Sequence, residues 1–147
     1  MEIFVTNDDG WGAKGILTIV RIMSELGHVT VVAPDGARSG MSNAITVAQP
    51  IYLRPLNDPN WGAEEWQKRV TVYTTNGTPS DCVKLAIDVV CEGDSSKIDL
   101  LVSGINHGSN AGINVIYSGT MGACFVGAEH GIPAIGFSID DHSPEAD

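Results

Sequence analysis

The chain has 147 residues, 43% of them hydrophobic, which is enough for one domain with a buried core. Its formal net charge is −10 and its Lys and Arg residues are dispersed, which argues against a nucleic-acid polymer as partner. The sequence contains no apolar run approaching the ~20 residues of a membrane span, so no membrane-spanning helix is predicted.

The N-terminal segment predicts a strand–helix–strand unit. A short apolar strand at Ile3–Thr6 stops at the polar run Asn7–Gly10. Apolar residues at helical spacing then predict a helix from Gly15 to Leu26. A second buried strand follows at Val29–Ala33. This order favours a parallel sheet with a right-handed crossover.

The middle of the chain is less regular. Three further strands are predicted, at Ala44–Val47, Ile51–Leu53 and Val70–Thr74. The residues Pro55–Trp66, which lie between the last two, predict a surface excursion.

The second half alternates helix and strand. Thr78 suits a helix N-cap, Pro79 the first helical position and Asp81 the positive end of the helix dipole. The elements predicted after this helix are a strand at Ile98–Val102, a loop at Ser103–Gly112, a helix at Gly119–Glu129 and a strand at Ile132–Phe137. The pattern predicts one α/β domain over residues 1–147, with a Rossmann-like, mostly parallel sheet flanked by helices.

The last residues, Ser143–Asp147, have the chemistry of a helix start: an N-cap, a proline and an acidic first turn. No helix follows them in the sequence. We therefore expect that the chain was cut from a longer protein; a polar, frayed terminus is the alternative.

Polar residues follow several predicted strands. In an open parallel sheet, ligands bind beyond the carboxyl ends of the strands. Four polar loops are expected there: Asn7–Gly10, Ser39 with Gly40, Ser103–Asn106 and Tyr117–Thr120. Their expected co-location carries the functional hypothesis, because each loop alone also fits an ordinary turn.

The adjacent carboxylates of Asp8 and Asp9 repel each other, so a metal ion or hydrogen-bond donors should lie nearby. Ser39 offers a neutral oxygen ligand, and Asn106 offers an amide oxygen. Oxygen ligands suit Mg²⁺ or Mn²⁺. The alternatives that stay open are a turn with Asp as a helix cap and an Asx-turn at Asn106.

Other loop residues suit phosphate. Free N–H groups at a helix N-terminus bind phosphate well, and small residues let it come close. An ordinary helix cap is the alternative for the run that opens the predicted helix. The residues predicted to bind phosphate or substrate are Gly40, Ser103, Gly104, Ser118, Gly119 and Thr120.

Four side chains are weaker candidates. His107 could act as an acid or base, and Lys14 or Arg38 could meet a phosphate. Trp11 could stack a base or simply pack. The sequence has no Gly-x-Ser-x-Gly elbow and no Walker loop, and its first turn lacks the Gly-x-Gly-x-x-Gly of dinucleotide-binding proteins. These absences disfavour serine hydrolases, P-loop enzymes and dinucleotide oxidoreductases.

The three cysteines form no close pairs and their number is odd, which disfavours a disulfide framework or a zinc site. The first residues place no basic region ahead of an apolar one, so no secretory signal is predicted. We therefore expect a reducing, cytoplasmic setting.

Taken together, these residues resemble the SurE family, the survival-protein nucleotidases. The matching stretches are IFVTNDDG at 3–10, VVAPD at 31–35, SG at 39–40, AIT at 44–46, GTPSDCVKLA at 77–86, DLLVSGINHGSN at 99–110, YSGTMGA at 117–123 and GIPAI at 131–135. The chain departs from the family after the first turn, where Trp11–Gly15 replaces a run that often contains His and Pro, and at Met121 and Cys124.

The resemblance implies a Rossmann-like domain that binds one divalent cation, Mg²⁺ or Mn²⁺, with the family's ligands falling on Asp8, Asp9, Ser39 and Asn106. The same two aspartates become the expected catalytic residues. The implied activity is hydrolysis of nucleoside 5′- and 3′-monophosphates, with short polyphosphate as a further substrate. It also implies a cytoplasmic homodimer or homotetramer and a further C-terminal portion. The alternative is a non-catalytic module that binds nucleotide or metal and regulates a partner.

Overall fold

The computed structural model describes residues 1–61 and 64–140, and six strands in this part of the chain form one sheet. The strands are β1 (Glu2–Thr6), β2 (His28–Pro34), β3 (Arg54–Pro55), β4 (Val70–Thr75), β5 (Leu100–His107) and β6 (Ala134–Ile139). The α-helices are α1 (Lys14–Ser24), α2 (Pro79–Leu85) and α3 (Gly119–Glu129). A π-helical turn at Ala86–Val90 continues α2, and short 3₁₀ helices span Pro59–Trp61, Glu65–Arg69, Ser95–Lys97 and Gly112–Tyr117.

The strands lie in the order β3-β4-β2-β1-β5-β6 across the sheet. All neighbouring pairs are parallel except β3 and β4, which are antiparallel. The predicted Rossmann-like, mostly parallel α/β fold is therefore confirmed. Because β1 lies between β2 and β5, the strand order reverses beside β1, and ligands of open α/β sheets bind beyond the carboxyl ends of the strands at such a point.

Strand β1 is buried on both faces, because successive side chains of a strand point to opposite sides. Ile3 and Val5 join the apolar cluster that includes α1, whereas Phe4 joins the cluster that includes α2 and α3. All three side chains are at most 1% exposed. Full burial of one such side chain contributes about 1.5–3 kcal/mol, so the strand that leads into the first polar turn is firmly held.

Cap chemistry sets the start of α2. The Thr78 hydroxyl accepts a hydrogen bond from the Asp81 backbone N–H at 3.1 Å, and the Asp81 carboxylate accepts one from the Thr78 N–H at 2.9 Å. This reciprocal pair is a capping box, and Pro79 occupies the first helical turn. The helix start predicted at Thr78 is confirmed, as is the helix predicted over Gly119–Glu129.

Two segments predicted as strands are instead irregular: Ala44–Val47 and Ile51–Leu53. Side chains take the place of a neighbouring strand there. The backbone N–H of Thr46 donates to the Asp81 carboxylate at 3.1 Å, and that of Tyr52 donates to the Asn76 side chain at 3.0 Å. Because distant side chains satisfy these backbone groups, the apolar pattern alone gave a wrong prediction.

The loop predicted at Ser103–Gly112 is wrong in its first half. Strand β5 continues to His107 because β6 pairs with it that far. The excursion predicted at Pro55–Trp66 contains the 3₁₀ helix at Pro59–Trp61, and its Trp61 is buried in the cluster on the α1 face. The helix start predicted at Ser143–Asp147 lies outside the described residues. Within the described ranges, no helix is long and apolar enough to cross a membrane.

Gly15 in α1 is expected to tolerate no side chain. A Cβ there would lie 2.4 Å from the backbone oxygen of Ile105 in β5, whereas a Cβ on Gly12 would meet nothing within 4 Å. Alanine normally favours a helix over glycine by about 1 kcal/mol, but overpacking costs about 1–3 kcal/mol. Gly15→Ala should therefore lower the free energy of unfolding in urea titrations. The control Gly12→Ala should change it by less than about 0.5 kcal/mol, and equal stability of the two variants would contradict the expectation.

Candidate metal and phosphate site

The turn after β1 is held by the buried side chain of Asn7. Its amide nitrogen donates to the Gly10 carbonyl at 2.9 Å, and its amide oxygen accepts from the Gly10 N–H at 3.2 Å. Gly10 has a φ of +98°, and a Cβ there would lie 3.2 Å from the backbone of Gly36. Glycine is therefore required at this position, and the closed turn fixes Asp8 and Asp9 at the carboxyl end of β1. The closure of this turn by Asn7 was not predicted from the sequence, although Asn followed three residues later by Gly is typical of such turns.

Four polar segments meet at one cleft at this edge of the sheet. The cleft has a volume of about 250 Å³. Its lining residues are Asp8, Asp9, Ser39, Gly40, Asn106, His107, Asn110, Asn114, Tyr117 and Ser118. The structure thus brings together all four side chains predicted to bind a metal, although they come from three separate segments of the chain.

Asp8 is a buried carboxylate, only 5% exposed, with a specific hydrogen-bond donor. The hydroxyl of Thr120 donates to its Oδ1 at 2.8 Å. Burial raises the pKa of Asp8 above its ordinary value, the Thr120 hydrogen bond works in the opposite direction, and the neighbouring charge of Asp9 raises the pKa further. A cation at this place would stabilise the ionised form of Asp8 against both burial and repulsion.

The donor chemistry fits a hard divalent cation. Within residues 1–61 and 64–140, no group of three or more His, Cys, Asp or Glu side chains is placed to hold a metal. The set at the cleft instead combines two carboxylates with the hydroxyl of Ser39 and the amide of Asn106. The Asn106 amide nitrogen donates to the Gly108 carbonyl at 2.9 Å, so its carbonyl oxygen is the atom suited to a cation. Such an all-oxygen set suits Mg²⁺ or Mn²⁺ rather than a soft metal.

The N-terminus of α3 reaches the same cleft. Ser118 caps the helix, its hydroxyl accepting from the Met121 N–H at 3.1 Å. The amides of Gly119 and Thr120 lie in the first turn, where no carbonyl of the helix can accept from them. A Cβ on Gly119 would lie 3.0 Å from the Asp8 Cβ, so glycine lets the helix end come close to that carboxylate.

The residues predicted to bind phosphate divide into two groups. Gly40 and Ser118 line the cleft, whereas the other four are not among its lining residues. Ser103 is fully buried in β5, and a Cβ on Gly104 would lie 2.4 Å from the Phe137 oxygen of β6. Thr120 is also fully buried, and its side chain serves Asp8. The side chains of Ser103 and Thr120 are therefore not accessible to a ligand in the cleft.

The four other candidate side chains lie in different places relative to the cleft. His107 is exposed and lines the cleft, and Lys14 is the first residue of α1. Trp11 packs against the apolar cluster on the α1 face. The guanidinium of Arg38 donates to the Asp35 carboxylate at 2.6 Å. Of these side chains, His107 is the one placed at the cleft.

Sequence reasoning assigned no role to the side chains of Asn110, Asn114 and Tyr117, which line the cleft. Asn114 and Tyr117 belong to the 3₁₀ helix at Gly112–Tyr117, which the sequence pattern did not predict. Tyr117 is 61% exposed at the rim. The one sequence feature that could have indicated these residues is the frequency of asparagine in this segment, which is also typical of ordinary loops.

A larger cavity of about 360 Å³ lies at the opposite edge of the sheet. It is lined by the first residues of β1, by Thr30 of β2 and by residues after α2, among them Val90 and Ile98. Its surface is mostly apolar, and it lies at the amino ends of the strands. The smaller, polar cleft is the better candidate site, because it holds the converging carboxylates and the free helix end.

Comparisons with known proteins identify relatives of the chain. The sequence model of the family described as Survival protein SurE matches residues 3–147. The chain is 49% identical over 147 residues to a protein of Porphyromonas gingivalis named 5′-nucleotidase SurE, covering 100% of this chain and 54% of that protein. A protein of the same name from Flavobacterium psychrophilum is 48% identical over 145 residues, covering 99% and 52% of the two chains.

A solved structure gives the same result for the fold. The crystal structure of SurE protein from Aquifex aeolicus superposes with a TM-score of 0.82 at 33% identity. The match covers 98% of this chain and 53% of that one. The chain thus spans about half the length of the curated relatives it matches.

Proposed function

The chain belongs to the SurE family, and from this premise we propose that it carries the catalytic centre of a metal-dependent nucleotidase. The reaction is hydrolysis of nucleoside 5′-monophosphates, and also of 3′-monophosphates and short polyphosphate, to release phosphate. One observation carries the proposal: Asp8, Asp9, Ser39 and Asn106 converge on a single cleft beside the N-terminus of α3. The names of the relatives, 5′-nucleotidase SurE, support the same reaction class.

Asp8, Asp9, Ser39 and Asn106 would hold one Mg²⁺ or Mn²⁺ ion. A cation bound there supplies Lewis acidity, which stabilises the negative charge that develops on the phosphoryl oxygens. The protein's own part is to keep both carboxylates ionised and fixed. The hydrogen bond from Thr120 stabilises the ionised form of Asp8 and holds its side chain in place. The turn closed by Asn7 fixes the backbone of both aspartates.

The phosphate would be bound by backbone N–H groups. The first-turn amides of Gly119 and Thr120 point out of the N-terminus of α3, where the helix dipole favours an anion. Gly40 has a φ of +72° and is exposed at the cleft, so its backbone can approach the phosphate closely. These neutral donors matter because a chain with net charge −10 cannot attract the substrate by its overall charge.

A water molecule would attack phosphorus in line with the ester oxygen, forming a new P–O bond as the bond to the nucleoside oxygen breaks. One aspartate accepts the proton that the water loses, and the nucleoside oxygen takes up a proton from solvent as it leaves. Asp9 is less buried than Asp8, so Asp9 is the better candidate for this base.

The same family membership supports two further proposals. We infer that the protein is a homodimer or homotetramer and that it works in the cytoplasm. The free thiols of Cys82, Cys91 and Cys124 suit a reducing compartment.

Phosphate release from a panel of nucleoside 5′- and 3′-monophosphates and tripolyphosphate tests the proposal. The assay is run with Mg²⁺, with Mn²⁺ and with EDTA. We expect release with either metal and its loss in EDTA, restored when metal is added back. Release that persists in EDTA would contradict the metal role. Tight nucleotide binding without release, from a chain shown to be folded by circular dichroism, would instead indicate a binding module.

A further inference from the structure

Among the four expected metal ligands, Ser39 is the exposed one that lies outside regular secondary structure. It is exposed and follows β2 in a segment without regular secondary structure, whereas Asp8 is buried at the end of β1. Backbone hydrogen bonds of a helix or sheet therefore do not fix its distance from the carboxylates. Something else must hold it if it is to share a cation with Asp8, because metal ligands must be placed within a few tenths of an ångström.

The neighbouring residue, Arg38, makes the connection. Its backbone N–H donates to the Asp8 carbonyl at 2.6 Å, which ties the residue before Ser39 directly to the first ligand. Its side chain reaches in another direction, across the carboxyl ends of two strands. Nη2 donates to the Asp35 carboxylate after β2 at 2.6 Å and to the Asn76 carbonyl after β4 at 3.3 Å.

The acceptors of Arg38 are themselves held in place. The second oxygen of Asp35 accepts from the Tyr52 hydroxyl at 2.7 Å, and the Asp35 backbone N–H donates to Thr75 at 2.7 Å. The Asn76 side chain accepts from the Tyr52 N–H at 3.0 Å. The guanidinium is thus anchored to a network that spans the ends of β2 and β4, and the planar fork of an arginine is the group that can bind several such acceptors at once.

From this geometry we propose that Arg38 is a positioning residue, which holds Ser39 beside Asp8 so that the two can share a cation. The inference rests on the proposed function for its metal. Arg38 is not among the residues that line the cleft within the described chain, and its guanidinium donates to protein acceptors. It therefore acts through Ser39 rather than on the phosphate.

Titration with Mn²⁺ alone, without substrate, tests the proposal. Arg38→Gln is expected to weaken Mn²⁺ binding about tenfold or more, as changes in the partners of metal ligands typically do. The Mn²⁺ affinity of Arg38→Lys should lie between those of Arg38→Gln and the unsubstituted chain, because lysine restores the charge but not the planar guanidinium. The control is Arg21→Gln, which removes the same charge from an exposed arginine in the last turn of α1, and it should leave the Mn²⁺ affinity unchanged.

A double-substitution cycle shows whether Arg38 acts through Ser39. In a Ser39→Ala background, Arg38→Gln should change Mn²⁺ affinity by less than about twofold, because contacting residues of one network are not additive. An undiminished effect in that background would overturn the proposal. So would a raised KM for substrate with unchanged Mn²⁺ affinity, which would indicate direct contact with phosphate.

Hydrogen exchange gives a readout that needs no metal. The backbone amides of Arg38 and Ser42 donate to the carbonyls of Asp8 and Tyr117 at 2.6 Å and 3.3 Å. In Arg38→Gln these two amides should exchange about tenfold faster or more, whereas those of β1 and α3 should not change. Unchanged exchange at Arg38 and Ser42 would overturn the positioning role even if activity fell. If the unsubstituted chain bound no Mn²⁺, the proposed function would fail, and the exchange data would still decide whether Arg38 fixes this segment.

Discussion

Asp8→Asn is expected to lower phosphate release by roughly 10³-fold with the fold retained. The substitution removes one of two carboxylates expected to bind the cation, and charge stabilisation by such an ion is worth several kcal/mol. A loss of about 4 kcal/mol corresponds to about three powers of ten in rate. The measurement is steady-state phosphate release at saturating Mn²⁺. Asp88→Asn, on the exposed side of the π-helical turn, removes the same charge and should keep full activity.

Stability measurements separate lost chemistry from lost fold in this variant. Burial and the charge of Asp9 raise the pKa of Asp8, so the ionised form opposes folding in the absence of metal. The cost is absent at pH values below the unfolded pKa and develops as the pH rises through the higher folded pKa. In EDTA at pH 7, Asp8→Asn should therefore be at least as stable as the unsubstituted chain. The difference should shrink as the pH falls toward 3.8, the ordinary pKa of Asp.

Near-normal turnover in a folded Asp8→Asn protein would contradict the proposed site. An inactive variant with a strongly reduced free energy of unfolding would also fail to support it, because the loss would then have a structural cause. The amide of asparagine can still accept the Thr120 hydrogen bond, so the geometry around position 8 should survive.

The elements that the sequence predicted well are those with local signals. Strand β1 is an uninterrupted apolar run, and α2 and α3 begin at Thr78 and Ser118, whose hydroxyls cap the helix. The strands wrongly predicted at Ala44–Val47 and Ile51–Leu53 depend on side chains far away in the sequence. Thr46 bonds to Asp81, 35 positions later, and no local pattern contains that information.

The site was predictable at the level of topology. Because the carboxyl ends of parallel strands meet at one edge of a sheet, polar residues after β1 and β2 and in β5 were expected to converge, and they line one cleft. Which residue of the site contacts which other residue was not predictable from the sequence. Thr120 was expected to bind phosphate, and its hydroxyl donates to Asp8, 112 positions away. The packing of α3 against β5, the neighbour of β1 in the sheet, brings the two residues together.

That contact predicts the behaviour of Thr120→Val. Valine has the shape of threonine but lacks the hydroxyl, so Asp8 loses its hydrogen-bond donor. Thr120 is 0% exposed, so water cannot readily replace that hydroxyl. The Thr120 hydrogen bond lowers the pKa of Asp8 against the effects of burial and of Asp9. Without it the pKa rises further, and a proton competes better with the cation for the carboxylate. We expect phosphate release near neutral pH to fall about 10- to 100-fold.

The dependence on pH distinguishes this cause from a general loss of structure. Since the expected defect is a more basic Asp8, the pH at which Mn²⁺ binding reaches half its maximum should move upward, and activity should recover partly at higher pH. The control is Thr18→Val, on the exposed side of α1, which should leave both the rate and the midpoint unchanged. A uniform loss of activity with an unmoved midpoint would show that Thr120 supports the fold of α3 rather than the charge of Asp8.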